Sequence, residues 1–179
     1  MKHLFRTVTV AVGACLLAAC SSMGEITLAV PDADVTNHIT RDFTCQGAAK
    51  PLRFRITNVP KNVTSLALIF EQTSAENSAY VHWVVYNAPA STGWLTADRL
   101  ADGAAVGLSS VEGAAAYIPP CPEAGLHRYR AEILGLDGLL TFDSPPTAEQ
   151  LRASAASHIV ARGEVEIVHN TSADYELGL

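Results

Sequence analysis

The sequence predicts a mainly β domain with one helix near its C-terminus. Three observations carry this prediction. Segments at 52–57, 79–90 and 127–136 alternate residues with the period of two that a strand with two different faces requires. Residues 65–71 form a more continuously apolar run, as a strand in the middle of a sheet does. One helix signature stands late in the chain: Thr147 as N-cap with Gln150 three residues on, directly after Pro145 and Pro146.

Taken in order, the chain begins with Lys2 and Arg6 ahead of an uncharged apolar run over 8–19. That run has the build of a secretory signal peptide and is too short to cross a bilayer. It ends in Leu17-Ala18-Ala19-Cys20, which resembles a bacterial lipobox, whose cysteine is acylated on sulfur with palmitate-like chains and becomes the first mature residue. Ser21 and Ser22 follow, with no aspartate to retain the protein at the inner membrane, so the expected address is the outer membrane facing the periplasm. The expected organisation is a lipoprotein signal peptide over 1–19, a lipidated tether over 20–25, a domain over 26–170 and a polar tail over 171–179.

Within the domain a first strand is expected over 26–30. Leu52, Phe54 and Ile56 then face inward, with Arg53 and Arg55 outward. Residues 58–62 read as a turn and 72–79 as a polar loop. In the next strand Val81, Trp83 and Val85 alternate with His82, Val84 and Tyr86, which puts a histidine on one face. Residues 91–116 form a long connection without sustained period, of the kind that is often functional. From 127 the alternation resumes, with His127, Tyr129, Ala131 and Ile133 on one face. The helix buries Leu151, Ala155, His158 and Ile159 and ends at Gly163, and a last strand covers 164–169.

The chain has 179 residues and a formal net charge of −6, from 12 Lys and Arg against 18 Asp and Glu. Cleavage of the signal would remove two positive charges and no acid, leaving −8. Nucleic-acid binding rests on clustered basic residues, so that partner is excluded. Cys45 and Cys121 are the two cysteines of the body after Cys20. In an oxidising compartment they most economically form one disulfide, the alternative being two buried thiols.

Several segments resemble the phosphatidylethanolamine-binding protein family, also called Raf kinase inhibitor proteins, in its bacterial YbhB/YbcL-like branch. They are DFTCQG at 42–47, PLRFRITNVP at 51–60, VHWVVYNAP at 81–89, PPCPEAGLHRY at 119–129 and HIVARGEVE at 158–166. The resemblance implies an antiparallel β-sandwich with Greek-key character and a few peripheral helices. It further implies that His82 and His127 converge, with Tyr129 beside the second, at a small pocket for phosphate-like or other oxyanions. Imidazole N–H groups and a phenol are the donors such a ligand needs.

The departures from the family pattern are specific. Gln72 stands where the family carries the first aspartate of Asp-Pro-Asp-X-Pro, a carboxylate that can hold a histidine in one tautomer. Glu71 is adjacent but faces the other way on an extended chain. Pro119 replaces a glycine whose N–H would serve an anion, while Pro120, Cys121 and Pro122 match the bacterial pattern. The pocket set is therefore His82, His127, Tyr129, Gln72 and Pro120. His158 reads as packing, and His38 and His169 have no supporting context.

The sequence thus leads to a non-enzymatic, membrane-anchored binding protein without cofactor or metal, whose partner is a small anionic or phosphorylated ligand. A second reading is an envelope interaction or inhibitor module with a degenerate pocket. A third is a histidine-dependent hydrolase, against which stand the absence of a Gly-X-Ser-X-Gly elbow, the absence of a His-Glu-X-X-His motif, and Gln72.

Overall fold

The structure is a computed structural model and describes residues 23–73 and 79–172. The signal peptide, Cys20, the loop positions 74–78 and the tail from 173 lie outside the described residues.

A six-stranded sheet runs in the order β1-β9-β8-β4-β5-β7, and a three-stranded sheet in the order β2-β3-β6. Their ranges are β1 Gly24–Glu25, β2 Thr27–Ala29, β3 Phe54–Thr57, β4 Ser65–Gln72, β5 Tyr80–Pro89, β6 Trp94–Leu95, β7 Ala105–Val106, β8 Leu126–Leu136 and β9 Ile159–Asn170. Every strand pair is antiparallel except β1 on β9. β1 falls within the stretch read as tether, so the sheet begins two residues before the expected domain start.

The apolar run of β4 has a direct physical reason. Leu66, Leu68 and Phe70 face the three-stranded sheet in one core, where the Phe54 ring stands 5.5 Å from Phe70 and 6.1 Å from Trp83. Ala67 and Ile69 face the single α-helix of the described residues, α1 Ala148–Ala155, whose Ala148, Leu151 and Ala155 close a second core with Val84, Leu134 and Leu136. A strand covered on both faces has no polar face to present. β3, covered on one face only, keeps the expected alternation, with Phe54 and Ile56 buried and Arg55 and Thr57 exposed.

The capping box of α1 forms as expected, Thr147 Oγ1 accepting from the Gln150 N–H and Gln150 Oε1 from the Thr147 N–H. The far end differs from the sequence reading. The helix stops at Ala155, and Ile159 already opens β9, opposite Leu136. His158 therefore lies in the turn, where Nδ1 meets Asp137 Oδ1 at 2.8 Å with both side chains partly exposed. Gly163 is mid-strand rather than a helix stop: a Cβ there would stand 2.0 Å from the Ile26 carbonyl oxygen. Only glycine allows the backbones to approach so closely.

The alternation of β5 is also interrupted. Phe70 pairs with Trp83 but Glu71 pairs with Val81, so His82 is an extra residue, a β-bulge. Val81 and Val84 pack toward the helix, while Trp83 and Val85 belong to the inter-sheet core. The bulge turns His82 to the inter-sheet side, away from the face shared with Val84 and Tyr86 that simple alternation assigns to it.

Candidate functional site

His82 is 2% exposed and ringed by aromatics. Its ring centroid lies 5.2 Å from Phe70, 4.9 Å from Tyr80 and 5.5 Å from Tyr129, the last edge-on. The long connection reaches it along the open edge of β5. β7 pairs with Val85 and Tyr86, then Gly107 N donates to Val84 O, Ser110 N to Val81 O and Ile118 N to His82 O. Ile118 returns a bond: its carbonyl lies 3.0 Å from His82 Nδ1.

That contact settles the tautomer. A carbonyl only accepts, so Nδ1 carries the hydrogen and, in the neutral ring, Nε2 is an acceptor. Burial pushes the His82 pKa down to about 4, against the opposing effect of the Ile118 hydrogen bond, so the ring is neutral near pH 7. The structure shows that burial is the cause, and that Gln72 sits beside the other histidine. Among the described residues, His82 Nε2 and the Tyr129 hydroxyl are buried without a hydrogen-bond partner. Tyr129 is fully buried, and that burial raises its hydroxyl pKa, so it remains a protonated donor.

A cleft of about 250 Å³ opens beside them, lined by Gln72, Tyr80, His82, Ile118, Pro119 and Cys121. Its wall is stapled. Cys45 and Cys121 form a disulfide across a separation of 76 residues, Cys45 N donates to Pro120 O at 2.8 Å, and Gln46 Nε2 donates to Pro122 O at 2.6 Å. Pro120 is buried behind that wall and is not among the lining residues.

His127 stands differently from the expectation of two equivalent donors. It meets Gln72 Nε2 through Nδ1 at 3.2 Å and the Glu123 carbonyl through Nε2 at 3.2 Å, so both ring nitrogens are engaged. Gln72 is the link between this ring and the cleft. Gly125, at φ +106°, sets the turn before it, a conformation that side chains other than hydrogen rarely adopt. Glu71 faces the helix as expected, held by Arg130 at 2.5 Å and Arg152 at 2.8 Å. Burial alone would raise its pKa, but these two guanidinium groups bring it below its ordinary value.

Two lining residues escaped the sequence reading although a signal existed. Tyr80 is two residues before His82, on the same period, and Cys121 stands beside Pro120 in the matched Pro-Cys-Pro segment. Ile118 left no signal, because it acts through its carbonyl. Of the remaining histidines, His38 and His169 stack at 5.7 Å, with His38 Nε2 accepting from Asn170 N and His169 Nδ1 donating to Ile39 O. No group of three His, Cys, Asp or Glu among the described residues is placed to hold a metal, and no helix among them is long and apolar enough to cross a membrane.

Known proteins resemble this chain over the same domain. The profile of the phosphatidylethanolamine-binding protein family matches residues 30–170. A UPF0098 protein of Chlamydia trachomatis is 33% identical over 138 residues, covering 71% of this chain and 87% of the relative. LppC of Mycobacterium tuberculosis, named as a lipoprotein, is 32% identical over 130 residues, covering 70% of this chain and 62% of LppC. The crystal structure of a phosphatidylethanolamine-binding protein homologue from C. trachomatis superposes with a TM-score of 0.74 at 27% identity, over 83% of this chain and 99% of that one. E. coli YbcL superposes at 0.72 over 82% of this chain and 99% of its own, and at 21% identity that likeness concerns the fold. With the family profile matched over residues 30–170 and a relative 33% identical over 71% of the chain, this protein belongs to the phosphatidylethanolamine-binding protein family.

Proposed function

We propose that this is a non-enzymatic, membrane-anchored binding protein whose cleft takes a small phosphate-like oxyanion that still carries a hydrogen. One observation carries the reading: His82 Nε2, an acceptor on a ring that lines the cleft, and the hydroxyl of Tyr129, a donor whose ring centroid stands 5.5 Å from that of His82, are both buried with no partner among the described residues. An unmet buried polar group costs about 1–3 kcal/mol, which a ligand offering one hydrogen and one lone pair recovers. Hydrogen phosphate and phosphomonoesters offer both, whereas sulfate offers lone pairs alone. None of the six lining residues is basic in the way of Lys or Arg, so binding rests on hydrogen bonds and is weak, about millimolar or −4 kcal/mol.

Two further features support the reading. Among the described residues no carboxylate hydrogen-bonds His82 or His127, which leaves neither ring oriented as a general base. The lipobox-like Leu17-Ala18-Ala19-Cys20 and the likeness to LppC support a lipid anchor.

Calorimetric titration at pH 6 tests the cleft. Phosphate should bind about tenfold more tightly than sulfate, a difference near 1.4 kcal/mol, and His82→Phe should abolish the preference. Phosphate binding should tighten from pH 7.5 to 5.5 because the ligand gains a second proton and sheds a negative charge that no Lys or Arg of the cleft lining would meet. Equal affinity for sulfate, or phosphate binding unchanged in both His82→Ala and His127→Ala, would show that the site lies elsewhere.

A further inference from the structure

The direction in which the chain enters the sheet bears on where the cleft opens. β1 runs parallel to β9, with Gly24 beside Ala161 and Glu25 beside Arg162. The Gln72 end of β4 lies level with Tyr129 on β8, and Tyr129 with Ile167 on β9. Six residues of strand separate Ala161 from Ile167, about 20 Å at 3.3 Å per residue. Across the sheet, β1 and β5 are separated by β9, β8 and β4, four strand spacings or about 19 Å. The cleft is therefore about 28 Å diagonally from Gly24. Because β1 heads toward the cleft end, Met23 and the entry to β1 lie at the opposite end.

Cys20 is four residues upstream of Gly24, and four residues reach at most about 14 Å however they are arranged. The anchor cannot reach the cleft. The end at which β1 begins is also built for an interface. Met23 and Leu139 are 57% and 66% exposed there, Pro60 packs against Gly24, and Lys61 is exposed in the adjoining turn. The Leu139 loop belongs to that end because it follows Leu136, which pairs with Ser65 and Ile159. Lys61 is offset there by the exposed acids Glu25 and Asp137, so it is the protruding Met23 and Leu139 that suit the interfacial region of a bilayer.

We propose that this end, formed by Met23, the turn at 58–62 and the loop at 137–140, rests on the membrane that holds Cys20. The cleft then opens at the far end into the aqueous compartment. Its ligand is a water-borne phosphate-type solute, not the headgroup of a lipid in the anchoring membrane. This rests on the anchored, phosphate-binding reading above, and adds to it the orientation and the source of the ligand.

The test uses the full lipidated protein, extracted from membranes and reconstituted in phosphatidylcholine–phosphatidylglycerol vesicles. Flotation comes first: protein that does not float with vesicles ends the anchored reading and this proposal with it. For floating protein, a fluorophore at Leu139→Cys should be quenched by headgroup-nitroxide lipid at least threefold more than one at Leu126→Cys. Leu126 is exposed at the cleft end, and Lys61→Cys replaces the first variant if it misfolds. Equal quenching, or stronger quenching at Leu126→Cys, overturns the orientation even though the anchor stands. Phosphate titration of the anchored protein should be unchanged when phosphatidylethanolamine replaces phosphatidylcholine. A tenfold rise in apparent Kd would mean that headgroups of that membrane reach the cleft, and would overturn the proposal.

Discussion

His82 keeps its neutral form through the range in which ordinary histidines titrate, because burial pushes its pKa down to about 4 from 6.5. The sign of the linkage follows. Below pH 6.5 the unfolded chain takes up a proton that the folded chain refuses, so stability is full above 6.5 and is lost as pH falls toward 4. The shift corresponds to roughly 3 kcal/mol. Urea unfolding midpoints should fall between pH 7 and 4.5 in the native protein and fall less in His82→Gln. Parallel slopes in the two proteins would place the proton uptake on another group. Glu71 acts in a lower window: its pKa lies below the ordinary 4.5, so its contribution is lost only as pH falls beyond that value.

At the scale of elements, two departures from regularity shape the molecule. The bulge in β5 delivers His82 to the inter-sheet side, and the glycine at 163 lets β9 pass directly beneath Ile26. The second is open to a plain substitution. A methyl group at 163 meets a backbone oxygen, which cannot rotate away as a side chain would. Gly163→Ala should destabilise by about 3 kcal/mol, at the upper end of the overpacking range. Gly93, with nothing within 4 Å of an added Cβ, should tolerate alanine within about 0.5 kcal/mol. Equal unfolding midpoints for the two variants would mean that β9 can shift away from Ile26. Arg152 adds a second tie between elements, joining α1 to Glu71 on β4 and Glu132 on β8.

For the molecule as a whole, the Cys45–Cys121 bond ties the cleft wall covalently across 76 residues. Closing a loop of 76 residues stabilises by about 4 kcal/mol on the chain-entropy account. Reduction should therefore lower the melting temperature by about 10 °C. It should also weaken phosphate binding, since Cys121 lines the cleft. Reaction of both thiols of the native, air-exposed protein with maleimide would show the bond absent in solution.

The sequence by itself determined the strands around 54–57, 65–72 and 126–136, the helix start at Thr147, and Gln72 and His82 among the residues that line the cleft. These rest on local physics: a period of two, an apolar run, a capping box, or a short motif shared with a family. Tertiary structure alone decided the side of the sheet on which His82 stands, the tautomer that Ile118 imposes, the pairing of Gln72 with His127, and the role of Gly163. A one-residue bulge leaves no mark on composition or period, and a backbone carbonyl has no letter in the sequence. Gly163 reads equally well as a helix stop or a close backbone contact until β9 is seen beneath Ile26, 137 positions earlier in the chain. Each of these turns on groups brought together from distant positions, which local patterning does not encode.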